Sequence, residues 1–170
     1  MAAPVNEGNI LVGAGKLEIK VGAAAWKELG GTEDGVEFSL PKEFFDIKAA
    51  EAPVTLGKEV TDTKGIINTQ LLESTLDNLL LVWPGTVVGN TLTVSVTNAV
   101  APVIQFRFTG KAPNGLVRTV LFPSVKAISD GAHRRTKGAN TSFAVEFEAL
   151  PIWNTAQDRW DFGTMVDAVA

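Results

Sequence analysis

VIQFRFTGKAPNGLVRTVLF, residues 103 to 122, sets the reading of the whole chain. Its first seven residues place Phe106 and Phe108 on the face opposite Arg107, and its last seven alternate in the same way, which is the two-residue period of a half-buried strand. Between them, Asn114-Gly115 is a strong signal for a tight hairpin, because both residue types accept the positive φ that a two-residue turn needs. The stretch therefore predicts two antiparallel strands with Phe106 and Phe108 facing a core.

The same period recurs on both sides. KLEIKV (16 to 21) puts Leu17, Ile19 and Val21 on one face, and VEFSL (36 to 40), a strand near TKGIINTQLL, TLTVSVTN (91 to 98) and TSFAVEFEAL (141 to 150) follow. GGTEDG after Leu29 is turn chemistry. FFDIKAAEAPVTLGKE loses the alternation at Pro53 and Gly57, and predicts a long hairpin excursion whose middle is ordered weakly or only by a partner. One stretch differs: ESTLDNLLLVWPG (73 to 85) predicts a helix over about 74–83, capped by Ser74 with Asp77 in its first turn and stopped by Pro84 and Gly85. The expected fold is mainly β, a β-sandwich or open barrel with this one flanking helix. Residues 1–170 read as a single domain with an N-terminal arm (1–15) and an aperiodic C-terminal tail (151–170).

At 170 residues, folding should bury roughly 70% of the unfolded chain's surface, enough for a core without staples. There is no cysteine, which excludes disulfides and thiolate metal sites. MAAPVNEGN carries no signal-peptide pattern and no apolar run is long enough to cross a bilayer, so the expectation is a soluble protein made inside a cell, without membrane insertion. The net charge of −4 is unevenly spread. Residues 101 to 140 hold seven of the fifteen Lys and Arg but one acid, Asp130, which makes that segment +6 and the remainder −10. Such a split suits nucleic-acid binding or head-to-tail attraction between identical subunits.

Chemistry is sparse. His133, the one histidine, lies in a polar glycine-containing loop and has no second histidine or cysteine for zinc. VGAGKL (12 to 17) lacks the glycine spacing of a phosphate loop, and Leu17 stands where Ser or Thr is needed. Glu146 and Glu148 share a strand face and could form an acid–base pair, but the plainer role is the polar side of a strand whose Phe143, Val145 and Phe147 fill the core. No catalytic, cofactor-binding or metal-binding residue is assigned. Nucleic-acid readers combine basic side chains with exposed aromatics or a groove-entering helix. Here the helix has no Lys or Arg, so specific recognition is not expected.

Within the helix, Leu76, Leu79, Leu80 and Trp83 form one stripe, while Leu81 and Val82 point to its sides and back. A second cover is needed, from the loop at 41 to 58, from the C-terminal tail or from another subunit. The order WKELGGTEDGVEFSL, an interrupted excursion, ESTLDNLLLVWPG, RTVLFPSVKA and NTSFAVEFEALPI resembles the major tail tube proteins of long-tailed bacteriophages, over residues 26 to 152. That family is also related to the tube protein of type VI secretion systems.

The resemblance implies a tail-tube-like β-sandwich flanked by one helix, six copies closing into a ring, and rings stacked into a hollow tube through which DNA passes without specific binding. It implies a virion location, assembly in the host cytoplasm, a tape-measure protein and tail tip or terminator proteins as partners, and a hairpin loop at 41 to 63 that reaches the adjacent ring. Leu81 and Val82 are then candidates for the subunit boundary. If charge helps stacking, Glu43, Asp46, Glu51 and Glu59 of one copy would meet Arg134, Arg135 and Lys137 of another, and assembly would weaken with salt. Glu18, Glu37, Glu146 and Glu148, on polar strand faces, are candidates for the lumen or outer wall, since acids keep a duplex from sticking. A reading of another class is a carbohydrate- or peptide-binding β-sandwich with Trp26, Trp153 or Trp160 as stacking platforms, and an enzyme using Glu146 and Glu148 ranks last.

Overall fold

The computed structural model describes residues 15–48, 55–95, 102–128, 133–134 and 142–169. In chain order the elements are β1 (Lys16–Val21), β2 (Lys27–Glu28), β3 (Thr32–Ser39), β4 (Lys42–Lys48), β5 (Thr55–Thr63), β6 (Gly65–Leu71), α1 (Leu76–Leu79), β7 (Gly85–Val88), β8 (Thr91–Val94) and β9 (Ile104–Lys111). They continue with β10 (Val117–Ala127), β11 (His133–Arg134), β12 (Ser142–Ala149), β13 (Ile152–Asn154), β14 (Arg159–Asp161) and β15 (Thr164–Ala168). The fold is mainly β, built on one curled, half-barrel sheet with a short helix.

That sheet runs β2-β1-β9-β10-β12-β6-β3, with β11 added beside β12 and β15 beside β10. Its centre is the hairpin expected at 103 to 122. Asn114 (φ 59°, ψ 29°) and Gly115 (φ 74°) turn the chain, and Val120 then faces Phe108 across the antiparallel ladder. Alternation places Leu17, Ile19, Ile104, Phe106, Phe143, Val145, Phe147, Ile67 and Leu71 on the concave side, where they are buried together. Phe106 contacts Phe147 and Phe122 at ring separations of 5.8 and 6.3 Å, and Phe38 closes the cluster from β3.

β10 outruns its expected end because Pro123 does not terminate it. Proline lacks the N–H of a ladder bond, so it is tolerated where pairing is interrupted. The register to β9 shifts between Phe122 and Val125, and there β10 exchanges β15 (paired with 117–121) for β12 (paired with 125–127) as its second neighbour. The bend this allows curls the sheet. GGTEDG is likewise not a free turn. Thr32 to Gly35 belong to β3, with the irregularity against β6 absorbed by Gly35 at φ +81° and its carbonyl accepting from the Thr69 hydroxyl at 3.0 Å.

The helix is shorter than expected. Thr75, not Ser74, is its N-cap, its side chain accepting from the Asn78 N–H at 3.2 Å, and regular helix ends at Leu79 before turns that run to Pro84. Buried Asn78 donates its amide to the carbonyls of Leu29 and Glu73, which pins this turn to the chain entering the sheet. Leu79 and Leu81 then enter the core, with Trp83 edge-on to Phe143 at 6.2 Å.

Candidate assembly interface

The hairpin excursion is a ribbon. β4 and β5 form their own two-stranded sheet, with Phe44 opposite Val60, Phe45 opposite Glu59, Asp46 opposite Lys58 and Ile47 opposite Gly57. Successive side chains point to opposite faces, so Phe44 and Val60 lie on one face and Phe45 and Ile47 on the other. All four are exposed, Phe44 at 57% and Phe45 at 62%. A two-stranded ribbon has no interior in which to hide either face, and apolar surface on both sides calls for cover from outside. In the sequence these residues register as lost alternation, and that loss is the mark of a ribbon apolar on both faces.

The acids expected to reach another copy are partly engaged within the ribbon. Asp46 pairs with Lys58 at 3.6 Å, and Lys64 lies 4.0 Å from Glu43 and 3.7 Å from Asp62. Glu59 sits across from Phe45. Glu51, Arg135 and Lys137 lie outside the described residues, and Arg134 is described only as backbone paired with Ser142.

Part of the basic segment also faces acids of its own subunit. Arg107 on β9 faces Glu18 on β1, Arg118 on β10 faces Asp167 on β15, and Lys126 on β10 faces Glu148 on β12. Arg118 makes two parallel bonds of 2.7 Å to Asp167, and the Arg118 guanidinium holds the Asp167 carboxyl below its ordinary value. Three of the seven bases in this segment thus face an acid of their own subunit, and two of them, Arg107 and Arg118, are ion-paired there.

Glu18 does not stand on an open wall. It is 7% exposed, beneath two cations on the convex face of the sheet. Arg107 brings Nε to 2.8 Å and Nη2 to 2.7 Å from Glu18 Oε2, Lys16 Nζ lies 3.0 Å from Oε1, and the guanidinium sits 4.2 Å over the Trp26 ring. Burial pushes the Glu18 pKa up, but the bonds from Lys16 and Arg107 outweigh it and hold the carboxyl below its usual range. Glu37, Glu146 and Glu148 lie on the convex face of β3 and β12, where Glu37 and Glu146 flank Asn68 of β6 from either side.

Leu81 is 6% exposed and part of its own subunit's core, so it offers little free surface, because the chain leaves the helix after one turn and carries Leu81 inward. Val82 is half-buried against that core. With Leu80, Leu81, Ile19, Val21 and Pro84 it lines a groove of about 440 Å³ on this flank. Of the tryptophans, Trp26 is engaged on Arg107, while Trp153 and Trp160 are cross-strand partners 5.3 Å apart on the β13–β14 hairpin, with Trp160 64% exposed. Among the described residues no three His, Cys, Asp or Glu converge as a metal site, and no helix is long and apolar enough to cross a membrane.

No family model matches the chain, and no curated protein matches it. Two of the solved structures similar to it are assemblies of gene transfer agents. One, described as the tail of an empty gene transfer agent particle computed with helical refinement and C6 symmetry, has a TM-score of 0.49 at 12% identity, covering 95% of this chain and 100% of that one. The other, the virion of a native gene transfer agent particle, has a TM-score of 0.45 at 13% identity, covering 98% of this chain and 100% of that one. At these values the likeness by itself carries no function across.

Proposed function

We propose that this chain is a structural subunit of a phage-like tail, not an enzyme, and that its copies join as six-membered rings stacked into a hollow tube through which DNA passes. The carrying observation is the β4–β5 ribbon, with exposed apolar side chains on both faces among the described residues. A ribbon of this kind acquires cover when it lies against a neighbouring copy, and the 41 to 63 excursion is the segment that the tail tube resemblance assigns to contact between rings. The sheet leaves edges at β2, β3 and β15 that a ring of copies can also occupy. The subunit belongs to a virion tail, assembled in the host cytoplasm alongside a tape-measure protein and tip or terminator proteins.

Negative-stain microscopy of the purified protein over a range of concentrations tests this. Rings or tubes that grow with concentration are expected. A monomer at every concentration, with tryptophan fluorescence that responds to a glycan or peptide, would favour the binding-module reading, which now rests on Trp153 and Trp160.

A further inference from the structure

Arg107 and Lys16 are the cations flanking the centre of the convex face formed by β1 and β9, and both point toward solvent with side chains 31% and 50% exposed. Glu18 lies between and beneath them, its side chain 9% exposed, one oxygen taken by Arg107 and the other by Lys16. Two outward cations around a single anionic position are the arrangement that grips a phosphate, and here the chain's own carboxylate fills that position. Glu28 adds a second anion 3.4 Å from Lys16, and Trp26 covers the guanidinium face.

We infer that Glu18 is a charge mask: it occupies the polyanion-binding position that Arg107 and Lys16 would otherwise form, and so keeps this face of the sheet from adhering to nucleic acid. This deepens the conduit reading, since a duplex must slide past a tail subunit without being held, and adsorption is driven by free Lys and Arg releasing counterions. Glu18 acts through its two partners and is a positioning residue. Glu37, an exposed acid on the same sheet with no ion pair among the described residues, contributes the same charge but unmasks nothing when removed.

The test is fluorescence anisotropy of a labelled DNA duplex of random sequence, with unassembled protein at low salt. The wild type is expected not to bind. Glu18→Gln is expected to bind on the order of tenfold more tightly than Glu37→Gln, which makes the same charge change on an exposed carboxylate, with log K falling against log salt at about −1.8 for two phosphates. Adding Arg107→Gln to Glu18→Gln should abolish the gain, and Glu18→Asp, which keeps the charge but withdraws it by one methylene, should bind to an intermediate degree even if Glu18→Gln folds poorly. Equal binding by the Glu18 and Glu37 variants, or a gain that survives Arg107→Gln, overturns the mask. Failure of the conduit reading would appear separately, as absence of rings or tubes in the wild type.

Discussion

Gly115 carries φ +74° directly after Asn114 at φ +59°, and the Leu116 N–H closes the turn on the Pro113 carbonyl at 3.3 Å. A β-branched side chain in that region meets its own carbonyl, at a cost of about 1–2 kcal/mol. Gly115→Val should lower stability to denaturant by that amount, while Asn114→Gly should change it little, as chemical unfolding of both would reveal. Leu81 makes a different demand, set by packing. Its burial in the core puts Leu81→Ala in the range of about 2–5 kcal/mol, toward the low end because the adjoining groove allows collapse. Leu81→Glu, which a surface position would tolerate as a folded monomer, should instead unfold the subunit, and a cooperative wild-type-like melt from it would place the side chain outside. Periodicity extended over 74–83 gave the wrong side for Leu81, because only Leu76–Leu79 is helix and the following turns rotate the chain inward.

Strand register accounts for part of the charge pattern. The sequence displayed a basic segment and an acidic remainder, a contrast equally suited to contact between chains and within one. Only register decides between them, and register sets Glu18, Asp167 and Glu148 opposite Arg107, Arg118 and Lys126. The core strands were legible from alternation, whereas 151–170, read as an aperiodic tail, in fact holds β13, β14 and β15, and β15 left no period because TMVDA has no buried face. β15 is held by its ladder to β10 and by the Arg118–Asp167 pair, with Met165 and Val166 exposed. Since Asp167 has its folded pKa depressed below the ordinary 3.8, the stabilisation is fully present above that value and is lost as pH falls through the lower, folded value. Amide exchange in 164–168 should therefore accelerate relative to β9 as pH drops below about 4, after correction for intrinsic rates, and Asp167→Asn should reproduce the acceleration at neutral pH. Equal protection of β15 in the variant and the wild type would mean that the ladder alone secures the strand.

For the whole molecule, the ribbon decides how copies meet. The core was readable because each strand's buried set repeats every two residues, but FFDI could not announce its own exposure, since apolar side chains on both faces of a ribbon look in sequence like a buried strand. Asp46, Glu43 and Asp62 of the ribbon have a cation of their own subunit within 4.0 Å and Arg118 is paired with Asp167, whereas Phe44, Phe45, Ile47 and Val60 are exposed, so apolar burial is the main force expected in assembly. Phe45→Asp should then yield a folded monomer with wild-type unfolding behaviour, because Phe45 lies in the ribbon and outside the core, yet form no rings or tubes by sedimentation and microscopy. Sulfate, which strengthens burial by exclusion from protein surface, should promote wild-type assembly, while about 1 M sodium chloride, with a screening length near 3 Å, should leave it largely intact. Dissociation in sodium chloride would return the contacts to charge, and normal tubes from Phe45→Asp would remove the ribbon from them.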